Sequence, residues 1–207
     1  MPRLGVILVV VWFLSLFVFR TALQWWKTGS TGVKGFSGAV GSLEWNAGLL
    51  TSLGLALGIA APIAALQSWP GGTLLFSSSP VHLVGVGGAV LGIAGALFAQ
   101  VTMGNSWRIG VDATERTALV TDGLFSWMRN PIFSFIMLSG AGLFLVVPNL
   151  VALMAVALTT AGIEIQVRMV EEPYLRRTHG SAYKKYCANT GRFFPGIGHS
   201  HQASDDA

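Results

Sequence analysis

Along the chain, long stretches without a charged residue alternate with short stretches that hold nearly all of the charge. No Asp, Glu, Lys or Arg occurs between Arg3 and Arg20, between Glu44 and Arg108 or between Arg129 and Glu164. A transmembrane helix takes about 20 mostly apolar residues, so the longest run, from Glu44 to Arg108, holds two spans and a connecting loop. The spans are predicted near Trp45 to Leu66 and Val81 to Gln100. Between them, Gln67 to Pro80 carries Trp69-Pro70-Gly71-Gly72 and Ser77-Ser78-Ser79-Pro80, turn formers that suit a water boundary. The run between Arg129 and Glu164 divides at Pro148-Asn149 into a hairpin of spans near Pro131 to Val147 and Leu150 to Val167. The second of these places Glu164, and Arg168 at its edge, within reach of the bilayer.

The first run, Leu4 to Phe19, follows Arg3 as the apolar part of a signal peptide would, but no small-x-small cleavage site precedes Trp25-Trp26, so it reads as a retained span. At about 1.5 Å per residue this run covers roughly 24 Å, short of a full crossing. The helix is therefore expected to continue through Arg20, with that side chain snorkelling, to Trp25 and Trp26 at the interface. The reading is an all-α integral membrane protein of five transmembrane helices. Three spans lie in residues 1–100, and a two-helix hairpin with a polar tail lies in residues 101–207.

Composition agrees. Of 207 residues 52% are hydrophobic and 11% charged, against about 25% charged in a soluble domain, which excludes a water-soluble single domain. The 26 glycines suit close-packed helices in lipid, and the GxxxG pairs Gly54 to Gly58 and Gly88 to Gly92 read as packing faces. Gly85-Val86-Gly87 lacks the third glycine of a dinucleotide fingerprint, since Val90 stands in its place. Cys187 is the single cysteine and cannot form an intramolecular bridge. His199-Ser200-His201 has no third ligand nearby and reads as a solvated tail, so no metal is expected.

Five spans put the termini on opposite sides. Arg20, Lys27, Lys34, Arg108, Arg116, Arg129, Arg168, Arg176, Arg177, Lys184, Lys185 and Arg192 fall on one side, and only Arg3 on the other. The excess marks the cytoplasmic side of a multi-pass cell-membrane protein and places the C-terminus there. Topology and anionic headgroups then account for the formal charge of +4, and no nucleic-acid partner is needed.

Any chemistry falls to two polar stretches on that side, Val101 to Asn130 and the tail from Glu171. The acidic pair Glu171-Glu172 that ends the last span has two readings: a solvated helix end pairing with Arg168 one turn earlier, or a carboxylate that accepts hydrogen bonds from a bound ligand. Pro173 disfavours helical geometry at Glu172, so the span is expected to break there and aim that acid off the axis, which ranks Glu172 above Glu171. Arg129 reads as an interfacial anchor, as a partner of either acid, or as the group that holds a bound ligand's carboxylate. Glu164 and Arg168, one helical turn apart, read as an ion pair facing the bundle, with a substrate-side role for Arg168 left open. Tyr183 and Tyr186 read as interfacial aromatics. Gly123 is expected to turn the chain, and Pro131 to open a helix.

Taken in order, Thr117-Ala118-Leu119-Val120-Thr121-Asp122-Gly123-Leu124-Phe125, Arg129-Asn130-Pro131-Ile132-Phe133, Glu171-Glu172-Pro173-Tyr174-Leu175, His179-Gly180-Ser181-Ala182-Tyr183-Lys184-Lys185-Tyr186 and Arg192-Phe193-Phe194-Pro195 resemble the isoprenylcysteine carboxyl methyltransferase and phospholipid methyltransferase superfamily. The resemblance covers roughly Met103 to Pro195. It implies a fold whose cytoplasmic segments close over S-adenosylmethionine. Thr117, Leu119, Val120, Gly123, Asn130, Pro131, Phe133, Glu171 and Glu172 would line the cofactor, and Arg129 and Arg168 would stand at the reacting end. Thr117 and Asn130 replace the two His of the family pattern, and Phe125 and Phe133 replace Tyr. Asn130 can donate and accept hydrogen bonds but carries no proton near neutral pH.

Methyl transfer suits this residue set. A sulfonium cofactor brings its own activated methyl group, so the protein has to bind, align and exclude water, without a nucleophile or a metal. The expected activity is a membrane-embedded S-adenosylmethionine-dependent methyltransferase acting on a lipophilic small molecule or lipid that enters from the bilayer. An NADPH-dependent membrane reductase, with Arg176, Arg177, Lys184 and Lys185 on the cofactor's phosphates, and a non-enzymatic membrane protein are the alternatives.

Overall fold

The structure is a computed structural model, and it describes residues 1–32, 38–104, 107 and 119–199. Six helices account for most of these residues. Helix α1 is a rod over Pro2–Thr28, α2 spans Leu43–Leu66, α3 Ser79–Thr102, α4 Pro131–Val146, α5 Leu150–Ile165 and α6 Glu172–Asn189. A π-helical segment, Gln166–Glu171, joins α5 to α6 without a break, and another, Leu14–Phe19, lies inside α1. Among the described residues there are only two isolated β-bridges and no named strand.

The helix ends follow from local chemistry. The hydroxyl oxygen of Ser42 accepts from the Trp45 N–H at 3.2 Å and caps α2. Pro131 sits in the first turn of α4, where its missing N–H costs nothing. Gly29, at φ +71°, closes α1 in the left-handed conformation that an L side chain resists. The hairpin between α4 and α5 turns on buried Asn149, whose Oδ1 accepts from Ala152 N–H at 2.8 Å while its Nδ2 donates to Ala61 O at 2.9 Å. The same turn is strapped to the 67–80 loop, because Leu75 N–H donates to Pro148 O at 2.7 Å and Leu150 N–H to Gly71 O at 3.1 Å. Met1, this loop and the hairpin therefore share one end of the bundle. Gly29, Thr102, Pro131 and α6 lie at the other.

Helix α3 runs along α4, α2 runs along α5, and α1 packs against α2, α3 and α4. Both main pairs close through glycine, at Gly54 and Gly92 of the two predicted GxxxG pairs, while Gly58 and Gly88 make only ordinary contact. A Cβ on Gly92 would stand 2.7 Å from Phe135 O, and one on Gly54 would stand 2.9 Å from Ala155 O. Gly85, Gly142 and Gly162 make equally close approaches, although only the first half of each seam shows the motif. In hydrocarbon, where apolar side chains gain nothing by leaving lipid for protein, such backbone proximity is what holds helices together.

Among the described residues four helical stretches are long and apolar enough to cross a membrane, and α4 is shorter. The five apolar segments expected from the sequence are all helical. Bounded by Pro131 and Pro148, α4 covers roughly 24 Å, less than the roughly 30 Å of hydrocarbon.

Two expectations are corrected. Arg20 does not snorkel: it is 2% exposed and points into the bundle, because the last carbonyls of α3 offer it acceptors there. The chain also does not break at Pro173, since Glu172 keeps helical angles (φ −61°, ψ −43°). The wider turn of Gln166–Glu171 accommodates the proline, and the helical path departs instead at Gly180 (φ +52°, ψ −124°).

The α3–α4 seam gives a direct test. Gly142→Leu places a side chain against Ala89 N and, 2.7 Å away, against Gly85 O, so it should lower the melting temperature in detergent by the equivalent of about 1 to 3 kcal/mol or more. Gly87→Leu, with nothing within 4 Å of its Cβ, should leave the melting temperature unchanged. Equal effects of the two substitutions would remove the seam's role.

Candidate functional site

At the far end of the bundle, buried Glu172 opens α6 and receives two arginines from distant parts of the chain. Arg129 Nη2 donates to its Oε1 at 2.9 Å. Arg192 donates twice, from Nε to Oε1 at 2.7 Å and from Nη2 to Oε2 at 2.9 Å, a two-pronged grip. Burial alone would raise the Glu172 pKa, but the hydrogen bonds and charges of Arg192 and Arg129 outweigh it and hold the carboxyl below its ordinary 4.5. The same hydrogen bond from Arg192 raises that guanidinium above its usual value.

Arg129 does more than pair with an acid. Its Nη1 donates to Thr190 O and, at 3.3 Å, to Cys187 O, and its Nη2 donates to Gly198 O at 3.1 Å. The backbone follows: Arg129 N–H donates to Gly191 O at 2.8 Å and Asn130 N–H to Arg192 O at 3.1 Å. Asn130 Nδ2 reaches the same Arg192 O at 3.2 Å, and Ser134 Oγ donates to Phe193 O at 2.6 Å. The Arg192-Phe193-Phe194-Pro195 stretch is thus folded back onto Arg129-Asn130-Pro131, although both spans of the α4–α5 hairpin and all of α6 lie between them in the chain. Phe193 packs with Ile163 and Val167, and Phe133 lies against that cluster.

Past the kink at Gly180, α6 turns its Tyr183, Tyr186 and Cys187 side toward this site. Tyr183 is buried, and the Tyr186 hydroxyl donates to Phe125 O, so these are docking residues rather than interfacial aromatics. Burial pushes both phenols above their usual range, and for Tyr183 nearby Cys187 adds to the shift. Gly123, at φ +59°, turns the chain as expected, and it opens a short 3-10 turn, Gly123–Ser126, that carries Phe125.

The expected residues divide. Arg129, Asn130, Pro131, Phe133 and Glu172 converge, with Leu119, Val120 and Gly123 on the segment leading to them. Arg168 does not join them. It pairs with Glu164, as predicted, but the pair lies on the outer surface, with side chains 51% and 35% exposed, rather than facing the bundle. The expected pairing of Arg168 with Glu172 is therefore corrected: Arg129 and Arg192 occupy both carboxylate oxygens. Glu171 is half-buried and accepts from Gln166 Nε2 at 3.5 Å. Thr117, Lys34, Arg108, Arg116, Ser200 and His201 lie outside the described residues. Arg192 was visible as part of a motif, yet nothing in its spacing announced that it would share Glu172 with Arg129.

Arg129 Nε is buried with no hydrogen-bond partner among the described residues. A buried guanidinium N–H left unspent provides one donor for a polar ligand. Among the described residues no group of three His, Cys, Asp or Glu could hold a metal ion. A cavity of about 60 Å³ lies apart from this cluster, between α1, α2, α4 and α5, and none of the charged residues lines it.

Comparison with known proteins places a family pattern on this part of the chain. The phospholipid methyltransferase family pattern matches residues 80–182, a segment that holds Arg129 and Glu172 and stops short of Arg192. Among solved structures, that of the eukaryotic intramembrane Ras methyltransferase, an isoprenylcysteine carboxyl methyltransferase, is similar at 17% identity and a TM-score of 0.49, over 93% of this chain and 88% of that one. No curated protein sequence matches.

The ion cluster makes a prediction about stability. Glu172→Gln leaves buried Arg129 without its counter-charge and should destabilise the fold by about 3 kcal/mol or more. Because the folded-state pKa of Glu172 is depressed, its contribution is present above the unfolded value and is lost as pH falls through the folded one. Wild-type melting temperature should therefore drop below about pH 4.5, and the drop should be blunted in Glu172→Gln. Identical acid profiles of the two proteins would contradict the assignment.

Proposed function

We propose, from the premise that the chain carries a phospholipid methyltransferase family segment over residues 80–182, that it is an intramembrane methyltransferase using S-adenosylmethionine on a lipophilic acceptor from the bilayer. The observation that carries this reading is convergence. Residues scattered from Phe125 to Gly198 meet at one end of an apolar bundle, where a charged cofactor and a lipid-borne acceptor can approach from opposite sides.

The residues present fit such a cofactor. The unspent Arg129 Nε–H suits its carboxylate, and Glu171 suits its ribose hydroxyls or ammonium. When bound, S-adenosylmethionine supplies an activated methyl group. The work of this chain is to hold, align and dry the site. Glu172, with both oxygens engaged by arginines, keeps the tail closed over the start of α4, and those buried partners leave it little acceptor capacity for a ligand. Asn130 orients the tail through Arg192 O and moves no proton.

Calorimetry of detergent-purified protein should show binding of S-adenosylhomocysteine and none of NADPH. Glu171→Gln should weaken the former by about tenfold or more. NADPH binding without a response to S-adenosylhomocysteine would establish the reductase reading instead. The orientation is testable separately. A reporter fused after Ala207 should read cytoplasmic and one in the 67–80 loop exterior, and the opposite result would place the site on the wrong side for a cytoplasmic cofactor.

A further inference from the structure

Arg20 is a buried charge that the site above does not use. It follows the π-helical segment Leu14–Phe19 and is 2% exposed. Its Nε donates to Gln100 O at 3.3 Å and its Nη2 to Gly104 O at 2.9 Å, so two of its donors cap the carbonyl end of α3. Its guanidinium carbon lies 4.3 Å from the centre of the Trp107 ring. Among the described residues two buried polar atoms of this cluster have no partner: Arg20 Nη1, and the side-chain oxygen of Gln100, whose Nε2 is spent on Leu16 O at 3.3 Å. Among the described residues no carboxylate is paired with Arg20.

An ionised side chain inside a membrane bundle, compensated only by carbonyls and an aromatic face, is expected to serve an anion. Depth identifies which kind. Arg20 is about 27 Å along the helix from Pro2, and the exposed rings of Trp25 and Trp26 come next, so it stands where hydrocarbon gives way to lipid phosphates. We infer that Arg20 and Gln100 form a binding site for a phosphodiester headgroup that carries a hydrogen-bond donor beside its phosphate. Arg20 Nη1 donates to a phosphate oxygen, and Gln100 Oε1 accepts from the neighbouring hydroxyl or ammonium. A choline headgroup has no N–H or O–H and satisfies only the first. The site shares no residue with the Glu172 cluster and does not depend on the reaction proposed for it.

Delipidated protein titrated with phosphatidylglycerol, phosphatidylethanolamine, phosphatidylcholine or inorganic phosphate, and followed by native mass spectrometry, tests the assignment. The first two lipids should bind at least about tenfold more tightly than phosphatidylcholine. Arg20→Met should weaken both by about tenfold or more. Gln100→Leu keeps the backbone carbonyl that Arg20 caps, so it reads the site even if Arg20→Met does not fold, and it should abolish the preference over phosphatidylcholine. Equal or absent binding of the three lipids, or variants indistinguishable from wild type, would overturn the inference. Displacement of bound lipid by inorganic phosphate would assign the site to the free anion and overturn the lipid assignment.

Discussion

The site end of the molecule depends on one carboxylate. Glu172 holds Arg129 from the start of α4 and Arg192 from the tail, and without it the tail would keep its backbone hydrogen bonds but would lose the charge that makes burying two guanidinium groups tolerable. Arg129 lies almost wholly inside, and Arg192 is only partly exposed. A buried pair gains little over an apolar substitute, but a buried arginine left alone is costly. The cluster therefore acts as a condition on burial: the two guanidinium groups sit inside at low cost only while Glu172 is there to pair with them.

The rest of the bundle is held by different means. In lipid, burial of apolar surface against apolar surface contributes little, so the seams between α3 and α4 and between α2 and α5 rely on glycine-allowed backbone approach and on a few interior hydrogen bonds. Trp12 Nε1–H donates to Ser139 Oγ at 3.0 Å across α1 and α4, and His82 Nδ1 lies 2.9 Å from Leu145 O across α3 and α4. These contacts fix how the helices sit around the site without touching it, and a glycine far from Glu172 thus bears on the geometry at Arg129.

The apolar spans were legible because lipid solvates no backbone polar group and therefore demands unbroken apolar helix. Gly123, Pro131 and the hairpin at Asn149 were legible from local chemistry alone. The partners of Glu172 were not. Helix arithmetic put Arg168 and Glu172 on one face, one turn apart, and that arithmetic assumes an unbroken α-helix. The π-helical turn at Gln166–Glu171 inserts about one residue and so rotates the rest of the helix by roughly 100°. Arg168 stays with Glu164 on the outer surface, while Glu172 turns inward. Arg192 lies beyond the end of α6, which Glu172 opens, and Arg129 lies before the start of α4. Only the return of the chain past Gly180 brings the three together.

The same device occurs twice. Leu14–Phe19 immediately precedes Arg20, and Gln166–Glu171 immediately precedes Glu172, both buried charges at the same end of the bundle. A helix that crosses lipid has little freedom to present a charge inward, since its apolar and packing faces are already set by the turns that span the bilayer. One inserted residue near the end of the span changes the phase of the turns beyond it and leaves the spanning turns as they were. Leu16 keeps its place in the core with Trp12, and Val167 packs with Ile163, while the next charged residue is carried to the interior. The two wide turns thus reconcile a uniformly apolar crossing with polar chemistry at its end, and the phase change they introduce is the feature that regular helix periodicity cannot anticipate.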